Sequence, residues 1–255
     1  MRPAPRLYID GSLGAGPLAL SPEHSRYLGQ VLRLKEDGEV RLFNGRDGEW
    51  LYVLASVGRR GAEAVPQRQM RQGEPAADAP TLFFAPIKRT QTEILVQKAT
   101  ELGVAVLQPV ITARTNRDSL RVDRLQSIAV EAAEQSERLT VPKIREPMSL
   151  TEMLEDPPSF VFCDEAGDQE AEPWGGQEGR APPARPVFQQ TDKKPEALLI
   201  GPEGGFTPEE RAALRSCDAA LPVSLGPRIL RAETAAIVAL TLWQASFGDL
   251  SSISS

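Results

Sequence analysis

The stretch Leu199-Ile200-Gly201-Pro202-Glu203-Gly204-Gly205-Phe206-Thr207-Pro208-Glu209-Glu210 holds the signals that decide the fold. It begins inside an apolar run, Ala197-Leu198-Leu199-Ile200, of the buried-strand type. The run ends in a glycine-rich turn, and a helix starts at once. Thr207 suits the cap, Pro208 the first helical position, and Glu209 and Glu210 the positive end of the helix dipole. Glycines at the C-terminal end of a parallel strand let a ligand reach the main chain, which is where open α/β sheets bind ligands. Taken alone, a tight strand-to-helix turn explains the stretch equally well.

Downstream the same form recurs. Ala220-Leu221-Pro222-Val223-Ser224-Leu225 reads as a strand, Gly226-Pro227 as a turn, and 230–247 as an apolar helix. Arg231 and Glu233 lie beside Ala235-Ala236-Ile237-Val238-Ala239-Leu240, and such charges are costly to bury unless paired or used. An ordinary surface ion pair is the alternative. Upstream, Phe160-Val161-Phe162-Cys163, 104–110 and 82–85 read as strands. Helices are expected over 123–138 and over 90–102, the latter closed by Gly103. Strands alternating with helices imply an α/β layer with a mostly parallel sheet.

The front of the chain differs. Strand-like runs at 6–9, 38–43 and 50–55, with Asn44-Gly45-Arg46-Asp47-Gly48 as a reversal, make it β-rich. A short helix is expected from Ser21-Pro22-Glu23 through Tyr27 and Leu28. Residues 67–80 are turn-rich, and the expected organisation is a small β-barrel over 1–72, a linker over 73–80 and an α/β domain over 81–251. Within the latter, 165–195 is rich in Pro and Gly and almost without apolar period. It reads as a flexible insertion, with Trp174 and Phe188 as candidate anchors.

Composition bounds the function. Apolar residues make up 41% and charged residues 25%, as in ordinary globular proteins. No apolar stretch is long enough to span a membrane, and the start of the chain lacks the apolar core of a secretion signal, so the cytoplasm is the expected compartment. There is no P-loop, no dinucleotide fingerprint, no HExxH and no nucleophile elbow. With His24 the single histidine and two isolated cysteines, no metal site is expected. The net charge of −6 conceals an uneven distribution. Residues 1–72 carry 11 Lys+Arg against 8 Asp+Glu, 86–145 carry 10 against 7, and 146–220 carry 6 against 16. The first 145 residues can therefore meet a phosphate backbone, with Lys88, Arg89, Arg114, Arg117 and Arg138 near strand or helix ends as candidate contacts. Solvated surface charge is the plainer alternative.

Four motifs together carry a family resemblance: Lys98-Ala99-Thr100-Glu101-Leu102-Gly103, Glu131-Ala132-Ala133-Glu134-Gln135-Ser136, Ile200-Gly201-Pro202-Glu203-Gly204-Gly205-Phe206 and Leu225-Gly226-Pro227-Arg228-Ile229-Leu230-Arg231-Ala232-Glu233-Thr234-Ala235. With His24, Tyr27-Leu28, Val31-Leu32-Arg33 and Phe43-Asn44-Gly45, they make the chain resemble the RsmE family of ribosomal RNA methyltransferases, in the SPOUT superfamily. The resemblance implies a PUA-like barrel followed by a SPOUT methyltransferase domain with a C-terminal trefoil knot. It further implies a homodimer and S-adenosylmethionine-dependent methylation of N3 of one uridine in 16S rRNA, within the small ribosomal subunit or a late precursor.

Mapped by that resemblance, the cofactor residues are Cys163, Leu199, Ile200, Gly201, Pro202, Glu203, Gly204, Gly205, Leu225, Gly226, Ile229 and Leu230. Uracil N3 must lose a proton, so a carboxylate base and an arginine beside the developing anion are needed. Glu203, Arg231 and Glu233 are the candidates. RNA contacts are expected from Arg6, His24 and Arg33 of the barrel with Lys88, Arg89, Arg114 and Arg138. The chain carries Ala232 where the family usually carries threonine, which removes one hydroxyl. The alternatives are a SPOUT enzyme acting on another RNA site and a non-catalytic RNA-binding assembly factor.

Overall fold

The computed structural model describes residues 4–58, 61–74, 79–115, 120–169, 172–191 and 193–251. It divides into two compact units, Met1–Ala77 with Val130–Val141, and Asp78–Ala129 with Pro142–Ser255. The 81–251 segment expected as one domain thus contributes Val130–Val141 to the first unit.

The first unit is built on a five-stranded sheet in the order β1-β3-β4-β5-β2, formed by β1 (Arg6–Tyr8), β2 (Leu18–Ala19), β3 (Glu39–Asn44), β4 (Gly48–Gly58) and β5 (Gly61–Arg71). β1 and β3 run parallel and the other pairs antiparallel. The reversal at 44–48 forms as its composition requires: the Asn44 side chain accepts from the Asp47 N–H at 2.6 Å, and Gly48 takes φ +80°. β5 is a strand the sequence reading missed, since its polar run through 67–71 carries few apolar residues. The main chain pairs with β4 regardless of side-chain polarity. Leu28, Val40, Leu42, Tyr52, Leu54 and Ala64 fill the core. The helix begun by Ser21 is α1 (Pro22–Arg26), and a π-helical turn, Tyr27–Val31, extends it beyond the expected end.

In the second unit every strand pairing among the described residues is parallel. The order is β12-β10-β11-β6-β7-β8, from β6 (Thr81–Phe84), β7 (Val106–Ile111), β8 (Lys143–Ile144), β10 (Phe160–Cys163), β11 (Ala197–Ile200) and β12 (Ala220–Val223). A short β9 (Met148–Ser149) also pairs with β7. One sheet face is covered by α4 (Leu150–Glu155) and α6 (Pro208–Arg215), through Phe83, Phe160, Phe162, Leu199, Met153 and Leu214. Helix α2 (Arg89–Glu101) packs on α7 (Ala232–Phe247), which lies against β11. Burying each such large apolar side chain contributes about 1.5–3 kcal/mol. Strands β6, β7, β10, β11 and β12 and helices α2, α6 and α7 all lie where the hydrophobic pattern predicts them, with ends shifted by three residues or fewer. Helix α3 (Val122–Gln135) is shared between the units.

The 165–195 segment, expected to be a flexible insertion, is folded where it is described. It forms a 3-10 turn (Pro173–Gly175) and α5 (Ala184–Gln190), and Pro183 bridges to Ser224 beyond β12. Phe188 is buried and its ring lies 5.5 Å from that of Phe247, so this anchor holds. Trp174 is 46% exposed, so it is not a buried anchor. The apolar period is weak because one helix of two turns needs few buried side chains.

Candidate active site

Strand β10 lies between β12 and β11, and all three run the same way. Their following loops therefore leave the sheet side by side at its C-terminal edge, although some forty residues separate the first from the second. These loops, with residues after β7 and at the start of α2, enclose a cavity of about 940 Å³, a volume usual for a nucleotide-sized ligand.

The central wall is the 201–205 turn. Thr207 caps α6 and Glu210 reaches back to the Thr207 N–H at 2.9 Å, fixing where the turn must end. Gly205 takes φ +68°, which a side chain would resist. Arg114, after β7, donates to the Gly204 carbonyl at 2.6 Å and to that of Phe206 at 3.4 Å. Expected as a phosphate contact, Arg114 instead braces the turn from across the sheet edge.

The loop after β10 is held by an ion cluster that the sequence reading missed. Asp164 is almost fully buried. Its two oxygens accept from Nε of Arg211 and Nε of Arg215, each at 2.7 Å. Arg211 also donates to the carbonyls of Ala166 and Gly167 and pairs with Asp168 at 2.6 Å, while Arg215 reaches the Gly179 carbonyl at 2.6 Å. The legible signal was the spacing. Arg211 and Arg215 are four apart on one helix and so share a face, and Asp164 and Asp168 are four apart on the loop opposite.

Glu165 joins the first loop to the third. It accepts from the Leu225 N–H at 2.7 Å and the Ser224 hydroxyl at 3.2 Å. Burial pushes the Glu165 carboxyl up, against the Leu225 N–H, the Ser224 hydroxyl and the charge of Arg180. Cys163, at the end of β10, has its thiol pushed up first by burial and then by Glu165 and Asp164, so it stays protonated and acts as lining rather than as a nucleophile.

Of the expected cofactor residues, Cys163, Ile200, Gly201, Pro202, Glu203, Gly204, Gly205, Ile229 and Leu230 line the cavity. Leu199, Leu225 and Gly226 do not: Leu199 is buried in β11, and Leu225 and Gly226 use their N–H groups on Glu165 and Ser224. Glu203 and Arg231 line it, Arg231 at the start of α7. Glu233 is in the first turn of α7, away from the lining.

The expected RNA contacts separate. Lys88 is exposed and lines the cavity, whereas exposed Arg89 pairs with Glu93 at 3.1 Å. Arg33 is exposed on the first unit, at φ +56°. Arg138 donates to Thr140 at 2.8 Å. Arg6 is buried inside the first unit. It is 7% exposed, donates to Glu49 at 2.9 Å and to the carbonyls of Ala133 and Arg138 at 2.7 Å, and lies over the Phe43 ring. Its charge is spent inside the first unit, where it shares the buried Glu49 carboxylate with Arg41, which pairs with the other oxygen at 3.0 Å. His24 is half-buried, and burial lowers its pKa, so it is neutral at pH 7 and offers phosphate no charge. Arg117 lies outside the described residues.

A family model described as RNA methyltransferase domain matches residues 75–244, and one described as RNA methyltransferase PUA domain matches 20–67. Ribosomal RNA small subunit methyltransferase E of Rickettsia conorii is 33% identical over 92% of this chain and 93% of its own length. The protein of the same name from Synechocystis is 31% identical over 88% of this chain and 71% of its own. Among solved structures, ribosomal RNA small subunit methyltransferase E from Neisseria gonorrhoeae bound to S-adenosyl methionine matches with TM-score 0.79 at 28% identity, covering 95% of this chain and 97% of that one. A Legionella pneumophila methyltransferase in complex with the same cofactor matches with TM-score 0.77 at 29% identity, over the same shares. A PUA-type unit, a parallel-sheet RNA methyltransferase unit and full-length similarity at this level place the chain in the ribosomal RNA small subunit methyltransferase E family.

Proposed function

We propose that the protein methylates N3 of a specific uridine in 16S rRNA, using S-adenosylmethionine. The observation that carries this reading is the meeting of three successive strand-end loops around one cavity, in a fold whose relatives were solved with that cofactor. The residues present fit the group. The volume suits a nucleoside with an amino-acid tail, and the 201–205 turn, with glycine at 201, 204 and 205, brings main chain to the cavity wall. Gly201, Gly204, Gly205, Ile229 and Leu230 would hold it. When bound, the cofactor supplies an electrophilic methyl group.

The chain's own residues supply position and charge. Glu203 stands ready to accept the N3 proton of the uracil, and Arg231 to stabilise the negative charge that develops on its carbonyl oxygens. Fixing two reactants in line contributes up to about 7–11 kcal/mol, so bracing of the loops by Asp164, Glu165 and Arg114 belongs to the catalytic design. Exposed Lys88 meets phosphate at the mouth, and Arg33 does so on the first unit. The reading extends to a trefoil knot in the second unit, a homodimer, and work on the small subunit or its late precursor in the cytoplasm.

The test is nucleoside mass spectrometry of 16S rRNA from a deletion strain, with the gene restored as wild type, Glu203→Ala or Arg231→Ala. N3-methyluridine should vanish on deletion, return with the wild type and stay strongly reduced with either variant. A mark that survives deletion refutes the function. Full methylation by one variant removes that residue from the chemistry.

A further inference from the structure

Trp174 is one of the exposed large apolar side chains of the second unit. Its side chain is 46% exposed, yet it lines the cavity. Its ring stands beside the turn, with Cζ3 3.5 Å from where a side chain on Gly205 would begin. It also adopts φ +56°, a conformation that a bulky residue enters only when its surroundings hold it there.

Those surroundings are explicit. The Gly167 N–H donates to the Trp174 carbonyl at 2.9 Å, Gln169 N–H to that of Gly175 at 2.9 Å, and Gly175 N–H to that of Glu172 at 3.0 Å. Gly167 and Gly175 approach so closely that neither could carry a Cβ. The strand of loop behind them is the one clamped by Arg211 and Arg215. The backbone is thus stapled from behind while the indole stays half-exposed in front. A half-exposed aromatic on such a mount offers its open face to a ligand. Bare faces of this kind take planar heteroaromatic rings, and stacking discriminates little among bases.

We propose that Trp174 is a stacking platform for a nucleobase of the RNA substrate, and so a residue that sets RNA affinity and base placement. The exposed indole favours RNA over the adenine of the cofactor, because the main chain of the 201–205 turn already lines the cavity beside it. The proposal rests on the reading of the protein as an rRNA methyltransferase.

The experiment uses small ribosomal subunits from cells lacking the enzyme and labelled S-adenosylmethionine. Wild type is compared with Trp174→Ala, Trp174→Phe and Trp174→Leu. Trp174→Ala should raise KM for the subunits by about tenfold, a larger loss than any it causes in the calorimetric Kd for S-adenosylmethionine. Trp174→Phe should recover most of the loss and Trp174→Leu little of it. An unchanged KM in Trp174→Ala overturns the proposal, as does Trp174→Leu performing like Trp174→Phe. A matching loss of cofactor affinity would assign the indole to the cofactor and also overturns it. Wild-type protein that transfers no methyl group overturns the underlying function as well, and this separates the two failures.

Discussion

Replacing Asp164 with alanine should damage both stability and cofactor affinity, and the size can be worked from the geometry. The carboxylate is 2% exposed and holds two arginines at 2.7 Å, whose side chains are 14% and 31% exposed. Removing one partner of a buried ion pair costs about 3–5 kcal/mol. Arg211 keeps the Ala166 and Gly167 carbonyls and Asp168, and Arg215 keeps the Gly179 carbonyl and part of its hydration. The loss should therefore fall near the lower limit, about 3 kcal/mol. For a unit of this size that lowers the melting temperature by about 6–12 °C. Asp164→Asn keeps one acceptor and should lose roughly half as much. The 164–168 loop lines the cavity, so Kd for S-adenosylmethionine should rise by about tenfold. Thermal melting with and without cofactor, and calorimetry, measure both. Combining Asp164→Ala with Arg211→Ala should cost less than the sum of the single changes. A melting point within about 2 °C of wild type, or an additive double variant, would refute the assignment of this cluster as the brace.

Three further outcomes are expected. Arg114→Ala should weaken cofactor binding by several-fold in calorimetry with little change in melting, because it removes only the brace on Gly204 and Phe206; equal affinity would count against it. Cys163 should resist iodoacetamide at pH 8, because burial keeps its thiol protonated; peptide mass mapping that finds it alkylated at the rate of a free thiol would contradict this. Hydrogen bonding from Arg46, with Asn44 and the Leu13 N–H, outweighs desolvation and holds Asp47 to about 2. Its folded pKa is thus depressed, and its stabilisation is present above the unfolded value near 3.8 and lost as pH falls toward 2. Melting measured from pH 5 to pH 2 should fall less steeply for Asp47→Asn, and identical slopes would argue against the assignment.

The parts of the site that sequence reading found are those written in adjacent residues. Strand, glycine turn, cap and helix over 197–215 follow from local chemistry, and so does the hydrophobic run that ends at Cys163. The parts it missed depend on partners far along the chain. Arg6 looked like a surface cation because nothing near it in sequence reveals Glu49, 43 residues away. Asp164 and Glu165 show no local sign of their roles, which come from α6 and the loop after β12 through Arg211, Arg215 and the Leu225 N–H. Trp174 looked like an anchor because an aromatic in a Pro- and Gly-rich segment usually is buried, and its exposure is a tertiary fact.

By itself the sequence determined the alternation of elements, the position of each glycine turn and the residue types available for chemistry. These depend on propensity, capping and apolar period over a few residues. The order β12-β10-β11 was left to the tertiary structure. Which strand lies beside which is decided by long-range main-chain pairing, and a strand's hydrogen bonds carry no label for their partner. That order brings the three loops to one edge, where α6 sets two arginines on the buried Asp164 and the loop after β10 leaves Trp174 half-exposed.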